Sequence, residues 1–320
     1  MSKIDNSTIQ SNYTTLDTLE VTSEIFKSKS AENLYRYALR KYRTNEKVKL
    51  LFDVSGNKDY WKPFHCNEVL LQQGKSLKGS LCRTRYCNHC QRIKTAELIK
   101  GYQAPLIKLT EEDKLYFVTL TAPTVKGRQL KAEIVKRYKA WNRVKDRLRK
   151  QGLKINGIRK LEVEYNDKKD WFHPHFHLIC QGKKESELLL KYWLEDYTTA
   201  DIKGQNIKEV GTTAKDLIEL FKYTTKDIVK DKATAEATHT IYQSLKGKRV
   251  FQTYGKIRKV KEPTEAQTES IVFDHLKDRN EIWAFDMEYI DWTTAYNEKL
   301  IGTLDIKNQI HENYVNSRKR

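Results

Sequence analysis

Alternating apolar and polar positions in the middle of the chain predict three β-strands. They are LYFVTLT at 115–121, GIRKLEVEY at 157–165 and HFHLIC at 175–180. Each is rich in β-branched or aromatic residues, and Pro123 follows the first. Because side chains alternate between the two faces of a strand, one face can pack in a core while the other stays available for chemistry.

A period of about 3.6 residues predicts two helices near these strands. Residues 129–150 carry an apolar stripe that includes Trp141, which we place in the core, and Gly152 follows as a stop signal. Residues 214–231 carry a second apolar stripe. Strand and helix patterns alternate from 114 to 260, which indicates one core domain of mixed α and β structure.

Three histidines occupy alternate positions in FHPHFHLICQG at 172–182: His173, His175 and His177. A spacing of two places the last two on one face of a strand, pointing toward one place. His173 precedes a proline at the end of the predicted hairpin, and we expect it to make a hydrogen bond or to touch substrate.

The neighbouring predicted strand carries two carboxylates on one face, Glu162 and Glu164. If the strands pair symmetrically about the polar connection at 166–173, Glu162 faces His177 and Glu164 faces His175. Two imidazoles and a carboxylate suit a divalent cation such as Mn²⁺, Mg²⁺, Co²⁺ or Ni²⁺. The alternative is an H-x-H pattern that arises by chance on an exposed strand; the Glu-bearing strand beside it favours the metal site.

The helix predicted at 214–231 presents Tyr223 opposite its apolar stripe. Glu219 lies one turn before this tyrosine and Lys226 about one turn after it. A tyrosine can act as a covalent nucleophile when a cation favours its phenolate, and a nearby carboxylate can act as a base. The alternative is that Tyr223 is an ordinary exposed tyrosine, one of eighteen in the chain. The helix pattern taken alone favours this simpler interpretation.

The formal net charge of +18 predicts a polyanionic partner. Residues 126–160 hold fourteen Lys or Arg against two acidic residues, a density typical of a surface that neutralises nucleic-acid phosphates. A well-solvated surface helix is the alternative. The candidate DNA-binding residues of this window are Lys136, Arg137, Arg143 and Arg147.

Four of the five cysteines lie within 25 residues. Cys82, Cys87 and Cys90 have the spacing C-x4-C-x2-C, and Cys66, His65 or His89 could supply a fourth ligand. The spacing is compatible with structural zinc and equally with plain reduced cysteines. Cys180 alternates away from the histidines and is predicted to lie in the core.

Composition divides the chain into four regions. We expect a flexible, Ser/Thr-rich tail at 1–45, a basic, Cys-containing region for DNA binding or zinc at 46–110, the core domain at 111–260, and an acidic, aromatic subdomain at 261–320. The chain starts without an apolar signal core and holds no apolar run near the roughly 20 residues of a membrane span. We expect a cytoplasmic protein without membrane contact.

In combination these segments resemble the replication initiator proteins of small rolling-circle bacterial plasmids, in the HUH endonuclease superfamily. The matching segments occur in family order: FVTLT (117–121), GIRKLEVEYN (157–166), HPHFHLI (173–179), ELFKYTTKD (219–227) and QTYGKIRKV (252–260). CRTRYCNHCQRIK (82–94) is similar to the family's Cys-rich segment, although Asn88 stands where the family usually has proline.

The resemblance implies an α+β fold, with an antiparallel sheet of about five strands, flanking helices on one face, and a metal on the exposed sheet face. It makes 111–260 the nuclease domain. The metal ligands would be His175, His177 and Glu162, with Glu164 as the fallback. The E-x-x-K-Y-x-x-K motif of the single-tyrosine branch maps onto Glu219, Lys222, Tyr223 and Lys226, which makes Lys222 a further candidate for DNA binding.

The resemblance further implies an activity and partners. Tyr223 would nick single-stranded or hairpin origin DNA with Mn²⁺ or Mg²⁺, form a 5′-phosphotyrosine, and rejoin strands at termination. Glu219 would activate water to end the cycle, and a host helicase and polymerase would extend the free 3′ end. The alternatives are a conjugative relaxase-like nickase and a non-catalytic DNA-binding regulator. Relaxases as a rule place the tyrosine before the histidines, whereas here it follows them.

Overall fold

The computed structural model describes residues 29–221, 228–259 and 268–302. Its helices are α1 (Lys29–Ser55), α2 (Trp61–Phe64), α3 (Asn88–Thr110), α4 (Gly127–Lys150), α5 (Lys183–Asp196), α6 (Ala214–Phe221) and α7 (Lys232–Leu245). Its strands are β1 (Val69–Gly74), β2 (Ser76–Ser80), β3 (Leu115–Leu120), β4 (Gly157–Asn166), β5 (Trp171–Gln181), β6 (Asn206–Val210), β7 (Phe251–Tyr254), β8 (Thr268–Val272), β9 (Arg279–Asp286) and β10 (Asp291–Thr293). Among these residues, no helix is both long and apolar enough to cross a membrane.

The three predicted strands form the centre of one antiparallel sheet, which we call the histidine sheet. Its strand order is β6-β3-β5-β4-β7. β3, β4 and β5 coincide with the predicted strands within a few residues at their ends, and the α+β class is confirmed. The helix predicted at 129–150 is also confirmed as α4, and Gly152 has a positive φ of 75° just beyond it, a conformation that glycine adopts without strain.

One face of the histidine sheet carries the largest core. Leu161, Phe176 and Leu178 point to this face and pack against the apolar stripe of α4 and against α5 and α7. Trp141 and Cys180 are buried there as predicted. Burial of this stripe explains why a helix as highly charged as α4 is stable in this position.

The opposite face of the histidine sheet is also covered in part. Ile158 and Ile179 pack there against α3 and α6, with Tyr102 of α3 stacked on Phe221 of α6 at 5.8 Å between ring centroids. The expectation that helices cover only one face was therefore wrong. The helix predicted at 214–231 is helical to Phe221 in the described residues, and 228–230 are not helical.

A second antiparallel sheet, the terminal sheet, was not foreseen. Its strand order is β10-β9-β1-β2-β8, so β1 and β2 pair with strands that lie about 200 residues further along the chain. Its inner face packs on α1, which includes residues 29–45 of the region expected to be a tail. Regions 46–110 and 261–302 thus contribute to one sheet, because β1 and β2 alone make too small a unit to be stable.

Candidate metal centre

The pairing of β4 with β5 brings the predicted ligands together in a register different from the expected one. Glu162 pairs with His175, Glu164 with His173 and Lys160 with His177. The expected partners, His177 for Glu162 and His175 for Glu164, were wrong by two residues because β4 continues to Asn166 and leaves a connection of only 167–170. A shift of two residues keeps every side chain on its own face, so the ligands still converge.

Glu162, His175 and His177 each direct one ligand atom into a common space. The two histidine Nε2 atoms are 2.9 Å apart, and His177 Nε2 lies 3.5 Å from Glu162 Oε2. All three ligand atoms lie within 4.8 Å of one another. The Glu162 and His175 residues are 3% and 4% exposed, while the His177 side chain is 18% exposed, so His177 is the most accessible of the three residues.

Hydrogen bonds to the backbone and to a hydroxyl orient the two imidazoles. His175 Nδ1 lies 3.0 Å from the carbonyl oxygen of His173, which can only accept, so Nδ1 carries the proton. In neutral His175 the Nε2 lone pair is then free to bind a metal. His177 Nδ1 lies 3.3 Å from the hydroxyl of Thr119 on β3, which holds this ring from its other side.

The electrostatic surroundings favour a neutral His175 and pair Glu162 with a buried cation. Burial lowers the pKa of His175, which keeps its imidazole unprotonated and able to act as a ligand. The ammonium of Lys160, a residue only 1% exposed, donates to Glu162 Oε2 at 2.8 Å. A buried carboxylate requires such a compensating positive charge, and a divalent cation would add more.

The donor set fits the divalent cation that the sequence predicted. Metal–histidine nitrogen bonds are about 2.1 Å long, so two Nε2 atoms 2.9 Å apart are close enough to bind the same ion. Two imidazoles and one carboxylate leave coordination positions open for water or substrate. The geometry does not choose between manganese, magnesium and the other divalent ions.

A second group of ligand atoms lies beside the first and shares His175. It comprises Glu164, His173 and His175, also within 4.8 Å of one another. Burial lowers the pKa of His173 to about 4. The strand register pairs Glu164 with His173, and Glu162 lies with the H-x-H pair.

A single row of paired residues crosses the histidine sheet at the metal centre. From one edge to the other it contains Phe251, Lys160, His177, Thr119 and Asn206. The ring of Phe221, the last residue of α6, lies 5.4 Å from the ring of Phe251. Helix α6 therefore ends over the row that contains His177.

The tyrosine motif begins at the end of α6. Glu219 belongs to this helix. The residues predicted to follow it in the motif, Lys222, Tyr223 and Lys226, lie outside the described residues.

The predicted DNA-binding residues of α4 lie on the side of the sheet away from the metal centre. Lys136, Arg143 and Arg147 are exposed, and the two arginines bind Asp196 and Glu195 of α5 at 2.6 and 2.5 Å. Arg137 is 0% exposed, pairs with Glu133, and donates to the carbonyl oxygen of Pro123 at 2.8 Å. Its guanidinium is therefore not available to DNA, and the basic helix is not part of the metal centre.

Two residues of the centre were missed by the sequence analysis, namely Thr119 and Lys160. The alternation of β3 and β4 places each on the same face as the histidines. Assigning every residue of the predicted strands to a face could therefore have included them. Their contacts with His177 and Glu162 depend on the register of three strands, which periodicity does not specify.

The candidate zinc ligands also come together. Cys66, Cys82, Cys87 and Cys90 place their sulfur atoms within 4.8 Å of one another. Of the other candidates, His65 is exposed and pairs with Glu68 at 2.6 Å, and the His89 ring packs on Tyr37 at 4.4 Å between centroids. The fourth member of the group is therefore Cys66.

Comparison with known proteins identifies the class to which this fold and centre belong. A family model described as "Replication protein" matches residues 73–299. The chain belongs to this family, and the resemblance to the replication initiators of rolling-circle plasmids is confirmed. No solved structure matches the chain.

Individual relatives agree with this assignment. A "Protein rep" of Staphylococcus aureus is 28% identical over 218 residues, which cover 61% of this chain and 94% of the relative. A "Protein rep" of Streptococcus pneumoniae is 25% identical over 60% of this chain and 64% of its own length. A "Protein rep" of a Bacillus species is 24% identical over 74% of this chain and 86% of its own length. The protein is accordingly a plasmid replication initiator.

Proposed function

We propose that this protein starts rolling-circle replication by nicking single-stranded DNA at an origin through a tyrosine–DNA intermediate, and that it rejoins the strands at termination. The observation that carries the proposal is the convergence of Glu162, His175 and His177 on the sheet face where α6 ends.

The metal and the nucleophile have separate roles in this proposal. A bound divalent cation would supply positive charge to a non-bridging oxygen of the scissile phosphate. The Tyr223 phenol gives up its proton as its oxygen attacks the phosphorus, the bond between phosphorus and the 3′ oxygen breaks, and that oxygen takes up a proton. The products are a 5′-phosphotyrosine and a free 3′-hydroxyl, which a host polymerase could extend after a helicase opens the duplex.

The chain's own residues position these groups. The His173 carbonyl oxygen contacts Nδ1 of His175, and the Thr119 hydroxyl contacts Nδ1 of His177. The Lys160 ammonium donates to the Glu162 carboxylate. We assign Glu219 as the base that activates a later water, and Lys226 and Lys222 as cations that orient the tyrosine or the phosphate.

The DNA path must reach the histidine side of the sheet. Lys208 of β6 pairs with Phe117 and therefore points to the same face as His177, and it is exposed. We propose that DNA passes over this edge of the sheet. The exposed cations of α4, including Lys136, Arg143 and Arg147, would attract DNA from the other side of the molecule.

Cleavage of labelled single-stranded oligonucleotides tests the proposal. Oligonucleotides tiled across the DNA around the gene are incubated with Mn²⁺ or with EDTA, and products are separated on denaturing protein gels. We expect a metal-dependent nick and a covalent protein–DNA band with the wild type. Both should be lost in Tyr223→Phe and retained in Tyr296→Phe, a matched control because Tyr296 is 92% exposed and remote in sequence.

Variants of the metal ligands separate catalysis from binding. His177→Ala should abolish the nick and retain DNA binding, whereas His275→Ala, a matched exposed histidine in the loop between β8 and β9, should leave both unchanged. Tight origin binding without an adduct under any divalent metal would instead support a non-catalytic DNA-binding regulator.

A further inference from the structure

The four clustered cysteines have the geometry of a metal site. Cys66 Sγ and Cys82 Sγ lie 3.5 and 3.7 Å from Cys90 Sγ. Sulfur ligands about 2.3 Å from a tetrahedral zinc ion are about 3.8 Å apart. A disulfide requires about 2.05 Å, and all four cysteines are free thiols. The separations therefore correspond to four ligands around one ion.

Backbone groups and a buried cation complete this site. The Cys82 N–H points to Cys66 Sγ at 3.4 Å, and the Cys90 N–H points to Cys87 Sγ at 3.5 Å. Such bonds stabilise sulfur in its thiolate form. Four thiolates and one Zn²⁺ carry a net charge of −2, and the buried ammonium of Lys41 interacts electrostatically with three of the four cysteines.

The ligands come from three different parts of the fold. Cys66 follows α2, Cys82 follows β2 of the terminal sheet, and Cys87 and Cys90 flank the first residues of α3. Cys87 is also the N-cap of α3, since its sulfur accepts from the Cys90 N–H. An ion at this point would join the terminal sheet to the start of α3.

Helix α3 connects the cysteines to the helix that leads to the tyrosine. The Thr95 hydroxyl donates to the Phe221 carbonyl at 3.1 Å, and Tyr102 stacks on the Phe221 ring. The Gln103 side chain donates to the carbonyl of Thr212, just before α6, at 3.1 Å. Both ends of α6 are therefore held by α3, and Thr95 lies only five residues after Cys90.

We propose that Cys66, Cys82, Cys87 and Cys90 bind one Zn²⁺, and that this ion fixes the position of α3 and thereby of α6 beside the metal centre. The site is structural because four protein ligands leave no open position for substrate. The zinc site stands independently of the nicking activity, whereas its effect on the tyrosine rests on the function proposed above.

The zinc content of the full-length protein tests the first part. We expect one equivalent of zinc per chain by mass spectrometry of the metal after dialysis, and one equivalent released when a mercurial reagent titrates the thiols. Cys180→Ala is the matched control, because this cysteine lies in the core away from the cluster, and its zinc content should be unchanged. Wild-type protein that holds less than a tenth of an equivalent, even after refolding with zinc, would overturn the site.

Substitutions at Cys82, the most exposed of the four ligands, test the second part. Cys82→Ser should lose zinc, and its rate of adduct formation on a short oligonucleotide should fall at least tenfold. Cys82→His restores a zinc ligand and should restore both zinc and the rate. If Cys82→Ser does not fold, the same comparison is made on wild type before and after mercurial release of zinc, with a thiol reductant added to reverse the reagent.

The outcomes distinguish the two proposals. Loss of zinc with an unchanged adduct rate would refute the positioning role while leaving the zinc site in place. A wild type that contains zinc and forms no adduct on any substrate would refute the nicking function and not the zinc site.

Discussion

Lys160 and Glu162 form a buried ion pair beside two imidazoles, and this pair predicts how metal and stability are coupled. In Lys160→Met the Glu162 carboxylate loses its cation, and the free energy of unfolding without metal should fall by about 3–5 kcal/mol. A divalent cation would replace the missing charge, so Mn²⁺ should raise the Tm of the variant more than that of the wild type. Thermal unfolding in Mn²⁺ and in EDTA measures both effects.

An exposed lysine provides the control for this substitution. Lys139→Met, on the outer side of α4, should show the wild-type response to Mn²⁺. Equal Tm shifts in the wild type and in Lys160→Met would contradict a role for Lys160 in compensating Glu162.

Asp291 predicts a pH dependence of stability. Burial raises its pKa from 3.8 to about 6, although the N–H groups of Trp292, Ile301 and Gly302 donate to its carboxylate. Between these two pKa values the native state holds a proton that the unfolded chain has lost. The free energy of unfolding should therefore fall by roughly 3 kcal/mol as the pH rises from about 4 to 6.

Urea unfolding across this pH range isolates the contribution of Asp291. Asp291→Asn cannot ionise, so its stability should decrease less than that of the wild type between about pH 4 and 6. Parallel curves for the two proteins would assign the pH dependence to other groups.

At the scale of elements, α7 shows how a local signal supports the main core. Asp231 accepts from the Thr234 N–H at 2.9 Å, and the Thr234 hydroxyl accepts from the Asp231 N–H at 3.1 Å, so the two residues form a capping box. Asp231→Ala should lower the free energy of unfolding by about 1 kcal/mol. Denaturant unfolding measures the loss, and Glu236→Ala, exposed on the same helix, should change stability by less than about 0.5 kcal/mol.

The strands predicted from alternation are present in the structure because each of them packs one apolar face against helices. The pairing of β4 with β5 was wrong by two residues, since the length of a connecting turn is decided by the paired strands as a whole. The error did not move Glu162 away from the histidines, because an even shift preserves the face. The face that Glu162 shares with the histidines could therefore be predicted even though the register could not.

At the scale of the whole molecule, the histidine sheet separates Lys208, on the face of the metal centre, from the basic outer side of α4. The metal centre lies on one face and the outer side of α4 on the other, so cations of the two surfaces should have different effects. On a short single-stranded oligonucleotide that spans the nick site, Lys208→Ala should weaken binding. It should also reduce the magnitude of the negative slope of log K against log salt concentration by about 0.7, the value for one phosphate contact. Lys136→Ala should leave this slope unchanged.

Binding titrations at several salt concentrations, with cleavage rates at saturating DNA, test this separation. On a long duplex that can wrap around the protein, Lys136→Ala should lower the salt slope as well. A Lys136→Ala variant that loses affinity for the short strand as Lys208→Ala does would place the DNA path on the α4 side.

Periodicity and spacing were sufficient for β3, β4, β5 and α4, and for the face that bears His175 and His177 together with Glu162 and Glu164. These features depend on local geometry, in which residues two apart on a strand share a face and residues three or four apart share a helix side. Only the tertiary structure decided the terminal sheet, the choice of Cys66 beside the other cysteines, the contacts of Lys160 and Thr119, and the position of α4 away from the metal centre. Each of these joins segments far apart in the chain, and such contacts are determined by which apolar faces bury one another when the whole chain packs.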